Sequence, residues 1–67
     1  MSVLKVIELL ASSEKSWEDA AKNAVKMASK TVKEIRSVYI KDMSLKVKGN
    51  NIVEYRVNAK VTFEVVE

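Results

Sequence analysis

The stretch Ile52-Val53-Glu54-Tyr55-Arg56-Val57-Asn58-Ala59-Lys60-Val61-Thr62-Phe63-Glu64-Val65-Val66 decides the fold. Val53, Tyr55, Val57, Ala59, Val61, Phe63 and Val65 alternate strictly with Glu54, Arg56, Asn58, Lys60, Thr62 and Glu64. Alternation of this kind marks a strand with one buried face. At roughly 3.3 Å per residue the strand reaches about 50 Å if straight. That is long for a small chain, so we expect it to curl around whatever covers its odd-numbered face. The even-numbered face, with Arg56, Asn58, Lys60, Thr62 and Glu64, is left to water, a ligand or another subunit.

Upstream, Lys48-Gly49-Asn50-Asn51 is a turn, because glycine and asparagine tolerate positive φ. Before it, Val38, Ile40, Met43, Leu45 and Val47 are the apolar positions of a second strand, Val38 to Val47. Their alternation changes phase near Asp42, which predicts a bulge or strong bend there.

Further back, Ser16 opens a helix expected to run from Trp17 to about Glu34. Ser16 and Asp19 have the spacing of a capping box, with Asp in place of the usual Glu or Gln. Glu14, Glu18 and Asp19 sit where the positive end of the helix dipole favours acids. Trp17, Ala21, Ala24, Ala28, Val32 and Ile35 recur three or four apart as one apolar stripe. Its alanines let the helix lie close to a sheet.

The chain opens with Val3 to Leu10, read as a strand ending at Ala11-Ser12-Ser13. Val3, Ile7 and Leu9 fall on one face, and Leu4, Val6 and Leu10 on the other. A strand apolar on both faces needs cover on both. One helix supplies one cover, so the other comes from a second subunit or from a sheet that curls.

With the long third strand in the middle, every neighbouring pair is antiparallel. The expected architecture is therefore α+β: one β-α-β-β domain spanning residues 1–67, its three-stranded antiparallel sheet in order 1-3-2 wrapped around one helix.

Composition says how so small a unit is held. A chain of 67 residues buries only about 60% of the surface it exposes when unfolded. Such scaffolds are usually stapled by disulfides, a metal or oligomerisation. Cysteine and histidine are both absent, which excludes disulfides and the usual zinc ligands. It also excludes Ser-His-Asp and Cys-His catalysis. Self-association remains, with a hard cation on oxygen ligands as a further aid. No residues have the spacing of a catalytic box, and the expectation is a binding protein, not an enzyme.

Basic and acidic residues number 12 and 9 and are interspersed. Lys22, Lys26, Lys30 and Lys33 form a basic stripe on the expected helix. It reads either as a phosphate-binding surface, making the chain a basic nucleic-acid-binding module, or as a solvated helix back with a Glu18–Lys22 pair. No aromatic residue interleaves with the lysines, and the solvated reading is preferred. Val3 to Leu10 is interrupted by Lys5 and Glu8 and no basic region precedes it, so it is not read as a secretory signal. Nothing approaches a membrane-spanning length. The expected setting is cytoplasmic, without membrane contact.

Trp17, the only tryptophan, reads as a packing anchor in preference to a stacking platform. Glu8 is an acid inside an apolar strand, costly unless paired or metal-bound. It is either a metal or subunit-contact acid, or the partner of Lys5 or of a lysine on the adjacent strand. No contiguous calcium loop of the EF-hand pattern is present, so any calcium site is assembled from separate segments or chains.

The opening Met1-Ser2-Val3-Leu4-Lys5-Val6-Ile7-Glu8-Leu9, then Ser12-Ser13, Ser16-Trp17-Glu18-Asp19-Ala20-Ala21 and Ala24-Val25, and the late Glu54-Tyr55-Arg56-Val57 and Val61-Thr62-Phe63 resemble the dodecins. The resemblance covers essentially the whole chain and points to the branch called calcium dodecins. It implies a sheet wrapped around the helix and twelve subunits in a hollow, cubic-symmetric shell that buffers or sequesters a small ligand. Flavin-binding dodecins stack flavins on a tryptophan at the start of the second strand, and a glutamine on the third strand bonds the ring. Those positions fall at Ser37 and Arg56, so flavin is not the expected ligand. A flavin site without the tryptophan, using Tyr39, requires that Tyr39 share a face with Ser37. By similarity to the calcium branch, Glu8 and Glu18 are the residues expected to hold a cation.

Overall fold

The computed structural model describes residues 3–65. Its elements are β1 (Leu4–Ser13), α1 (Trp17–Ala28), β2 (Ile35–Lys48) and β3 (Asn51–Glu64). The sheet is antiparallel in the order β1-β3-β2, as expected with the long third strand in the middle. Val66, which ends the predicted strand, lies outside the described residues, as do Met1, Ser2 and Glu67.

The core is narrow. Ala20, Ala24 and Ala28 of α1 and Val57, Ala59 and Val61 of β3 are its buried apolar residues. Side chains this small let the helix backbone approach the sheet closely. Ala20 is buried and Ala21 only half-buried, so the stripe is centred one residue earlier than its spacing suggested.

Ser16 caps α1, its hydroxyl accepting from the Asp19 N–H at 2.9 Å. The reciprocal arm of a capping box is not made. Asp19 accepts instead from the buried Ser13 Oγ at 2.6 Å, and that same oxygen accepts from the Lys15 N–H. One hydroxyl thus ties the end of β1 to the first turn of the helix. This explains why β1 runs on through Ala11, Ser12 and Ser13, which sequence assigned to a joint.

The helix stops at Ala28, six residues short of Glu34. Ser29 caps it, and Thr31 and Val32 return their N–H groups to the Ala28 carbonyl. Serine and β-branched residues are weak helix formers, and they follow Ala28 closely. Val32 and Ile35 kept the stripe's spacing by coincidence. Glu34 sits in the left-handed region at φ 58°, where a non-glycine residue carries a steric cost of about 1 kcal/mol. Its carbonyl accepts from Glu64 N at 3.0 Å, which fixes the start of β2 against the end of β3. Removing the side chain deletes the Arg36 ion pair in either case, so the strain shows in a comparison: Glu34→Gly should be more stable than Glu34→Ala, because glycine adopts positive φ without the steric cost. Thermal melting at fixed protein concentration checks this: an alanine variant that melts well above the glycine variant contradicts the strain assigned to Glu34.

The bulge foreseen near Asp42 is present: pairing shifts between Ile40 and Asp42, leaving Lys41 without a partner on β3. Val38 and Ile40 before the shift pair with Val61 and Ala59, and Met43 and Leu45 after it with Val57 and Tyr55. The extra residue thus keeps all four apolar side chains on the helix side of the sheet. Gly49 and Asn50, at φ 58° and 64°, form the hairpin turn, and positive φ at both positions matches the right-handed strand twist.

Trp17 anchors the helix to the hairpin. Its Nε1 donates to the Ser44 carbonyl at 3.1 Å, and its ring meets Tyr55 edge-on at 5.4 Å. Beyond this point the hairpin projects past the helix. The molecule measures 51 × 19 × 13 Å, so the long strand is accommodated by an elongated subunit as much as by curvature. Met43 and Val47 in the projecting part are more than half exposed. Among the described residues no helix is long and apolar enough to cross a membrane.

Candidate functional site

Register divides the sheet into a helix face and an outer face. On β1 the helix side takes Ile7, Leu9, Ala11 and Ser13. The outer side takes Leu4, Val6, Glu8, Leu10 and Ser12. Opposite them on β3 stand Glu64, Thr62, Lys60, Asn58 and Arg56 in that order. The β2 side contributes Ser37, Tyr39, Asp42 and Ser44, opposite Thr62, Lys60, Asn58 and Arg56.

This outer face is the unfinished part of the subunit. Leu10 is 83% exposed, and Leu4, Val6 and Tyr39 are each more than half exposed. The two-faced character read from β1 is real, and a single chain covers only one of the two faces. An apolar patch of this kind, mixed with charges, marks a contact or ligand surface.

A groove of about 440 Å³ runs across the outer face toward the hairpin, lined by Leu10, Ser12, Asp42, Ser44, Arg56 and Asn58 among others. Asn58 Oδ1 is buried there and, among the described residues, meets no hydrogen-bond donor. A buried acceptor is costly unless a donor reaches it. Arg56 Nε donates to Glu54 Oε1 at 2.8 Å. That hydrogen bond, more than any other influence, holds the Glu54 carboxyl below the usual carboxylate range; partial desolvation opposes it. At the far end of the face Arg36 bridges Glu64 and Glu34. The Glu64 hydrogen bond and charge raise the Arg36 pKa.

Glu8 lies at the middle of the outer face, opposite Lys60. Its Oε2 is 4.0 Å from Lys41 Nζ, and both side chains are about half exposed. The partner is thus neither Lys5 nor a residue of the strand beside β1, but the bulged residue two strands away. Glu18 sits in the first turn of α1, well exposed, 3.7 Å from Lys22. The sheet separates the two acids: Glu8 is on the outer face, and α1 lies against the other. One subunit does not bring them together, and among the described residues no group of three or more acids is placed to hold a metal ion.

Ser37 and Tyr39 share the outer face, since they pair with Thr62 and Lys60 and no register shift falls between them. The bulge comes after Tyr39. Ser37 pairs with Thr62, whereas Arg56 pairs with Ser44, a separation of about 20 Å along β3. The two positions are therefore not neighbours within one chain. The lysine stripe is shorter than sequence suggested: Lys22 and Lys26 are on the helix, and Lys30 and Lys33 follow its end.

A three-stranded β-α-β-β chain with one sheet face covered by its helix, and a grooved, partly apolar second face left open, defines a class of small α+β protein. The chain belongs to the dodecin family, whose Dodecin family model matches residues 3–66. A curated relative, the calcium dodecin of Mycobacterium tuberculosis, is 36% identical over 64 residues, which cover 96% of this chain and 90% of that protein. The crystal structure of the calcium-chelating immunodominant antigen calcium dodecin from the same organism, described with a novel calcium-binding site, superposes with a TM-score of 0.85 at 34% identity. It covers 97% of this chain and 93% of that one. An arginine-to-alanine mutant of the T. thermophilus dodecin superposes with a TM-score of 0.94 at 28% identity, each chain fully covered.

Proposed function

We propose that this chain assembles into a homododecameric shell that binds and stores a small ligand, with calcium and not flavin as that ligand, and that it catalyses no reaction. The observation that carries this reading is the outer face of β1, where Leu4, Val6 and Leu10 flank Glu8 and lie open in the single subunit. Assembly covers the apolar residues and leaves the acid at a junction between chains. Its compartment in this reading is the cytoplasm.

The donor chemistry fits a hard cation. Glu8 and Glu18 offer carboxylate oxygens, the ligand type calcium prefers. Because the sheet separates them within one subunit, Glu8 of one chain and Glu18 of another are the assignment we favour, with the remaining oxygens from water and backbone. Two features weigh against flavin: a serine stands at position 37, and the Arg56 guanidinium is already engaged by Glu54. Ligand charge count tunes calcium affinity over orders of magnitude, so Glu8→Gln should weaken calcium binding about tenfold or more by calorimetry. Undiminished binding in that variant removes Glu8 from the site.

One observation favours a second reading, a flavin site without the tryptophan. Tyr39 is 66% exposed on the same face as Ser37, the condition for it to serve as a platform. The calcium reading predicts that added riboflavin keeps its fluorescence. Quenching that Tyr39→Ala abolishes supports the second reading instead.

A further inference from the structure

The helix covers its side of the sheet only in part: it packs on β1 and β3 and barely meets β2. A groove of about 440 Å³ is left between the helix flank and β2. Ala21, Val25, Val38 and Ile40 floor it, and Glu18, Lys22 and Lys26 form its lip. The floor continues along β2 beyond the helix. Met43, Leu45 and Val47 stay on the helix side, and Val47 pairs with Ile52 on β3. Met43, Val47 and Ile52 are half exposed or more, and Val25 and Leu45 more than a third. An apolar floor inside a charged lip is the anatomy of a protein interface. Together these side chains make a trough of roughly a few hundred Å², a size that marks a contact surface.

Building on the reading of the chain as a twelve-subunit shell, we infer that this trough is a second self-docking surface, occupied by another copy of the chain and separate from the outer face of β1. Symmetry asks for such a surface. One isologous contact between identical chains stops at a dimer, and one heterologous contact closes a ring or runs on as a filament. A closed shell therefore needs two kinds of contact on every chain. The outer face of β1 supplies one. Its three aliphatics, Leu4, Val6 and Leu10, by themselves fall well short of the roughly 800 Å² that each partner gives to a stable interface. The trough lies on the other side of the sheet and at its other edge, since β1 and β2 flank β3. One chain therefore uses both surfaces at once without conflict. Trp17, bonded to the Ser44 carbonyl and 36% exposed, stands beside the trough. Docking of a second copy shields its indole further from water.

Light scattering and Trp17 emission on the full chain test this. The variants are the hairpin pair Met43→Glu with Val47→Glu, the helix-flank change Val25→Glu, the β1 pair Val6→Asp with Leu10→Asp, and the two pairs combined. All five positions are exposed in the single chain, so its fold should survive, which far-ultraviolet dichroism checks. The hairpin pair should cut the mass from near 90 kDa to an intermediate held by the β1 contact alone, and shift Trp17 emission to longer wavelength. Val25→Glu should do the same, and it decides the matter should the hairpin pair fail to fold. Combining the hairpin and β1 pairs should give the 7.5 kDa subunit. If the hairpin pair and Val25→Glu both keep the full mass, the inference fails and the shell reading stands. If the wild type is itself a monomer or dimer, the shell reading fails and takes the inference with it. Binding of anilinonaphthalene sulfonate by the intact shell, lost in the hairpin pair, makes the trough a ligand groove and also overturns the inference.

Discussion

Replacing Ala24 with leucine will strip the packed subunit of a large fraction of its stability. Ala24 is 1% exposed and lies between Ala20 and Ala28, both also buried, against the Val57, Ala59 and Val61 face of β3. The small side chains are what allow the helix to sit this close. A leucine there must push the helix off the sheet, and overpacking of that kind costs about 1–3 kcal/mol, occasionally more. The whole stability of a chain this size is only about 3–10 kcal/mol. Lifting the helix also pulls Trp17 from Ser44 and Tyr55, which compounds the loss. We expect the thermal midpoint to fall by about 5–20 °C and the near-ultraviolet dichroism of Trp17 to weaken. Ala21→Leu, at the half-buried edge of the stripe, is the control and should have a much smaller effect. Equal effects from the two variants contradict the position of the core.

Aspartates in place of Val6 and Leu10 will leave the subunit's own fold intact and abolish its assembly. Both residues point away from the helix, and they are 56% and 83% exposed in the single chain. Surface changes of this kind usually cost within about 0.5 kcal/mol of the subunit's own stability. In an interface the same change buries uncompensated charge, which is expensive. Light scattering should show the mass falling to that of a small unit while the far-ultraviolet dichroism keeps its β-rich shape. The released subunit should melt earlier, because a chain of this length buries little surface by itself. Retention of the full assembly by the double variant places the interface elsewhere.

Much of this fold was legible in the sequence because strand alternation is a local property. Val53 to Val65 declared their face by parity alone, and the phase change near Asp42 located the bulge. The end of the helix was not legible. Val32 and Ile35 kept helical spacing after the helix had stopped, and only the return of the Thr31 and Val32 N–H groups to Ala28 shows the true end. The left-handed Glu34 is likewise set by its pairing with Glu64, a contact 30 positions away in sequence.

The candidate site was legible in part. An acid among Leu4, Val6 and Leu10 stood out by composition, and Glu8 does occupy the middle of the open face. Its partner could not be read, because Lys41 reaches it across two strands and only through a bulge. Whether Tyr39 shares a face with Ser37 depended on which side of Tyr39 that bulge fell. The groove at Asn58 depends on three strands meeting in register, which no single segment encodes.

The central claim is that this subunit is completed by copies of itself. Size-exclusion chromatography with multi-angle light scattering at micromolar concentration tests it most directly. The subunit mass is 7.5 kDa, and the predicted result is a single species of twelve subunits, near 90 kDa. A monodisperse monomer or dimer, with Leu4, Val6 and Leu10 left open to water, contradicts it.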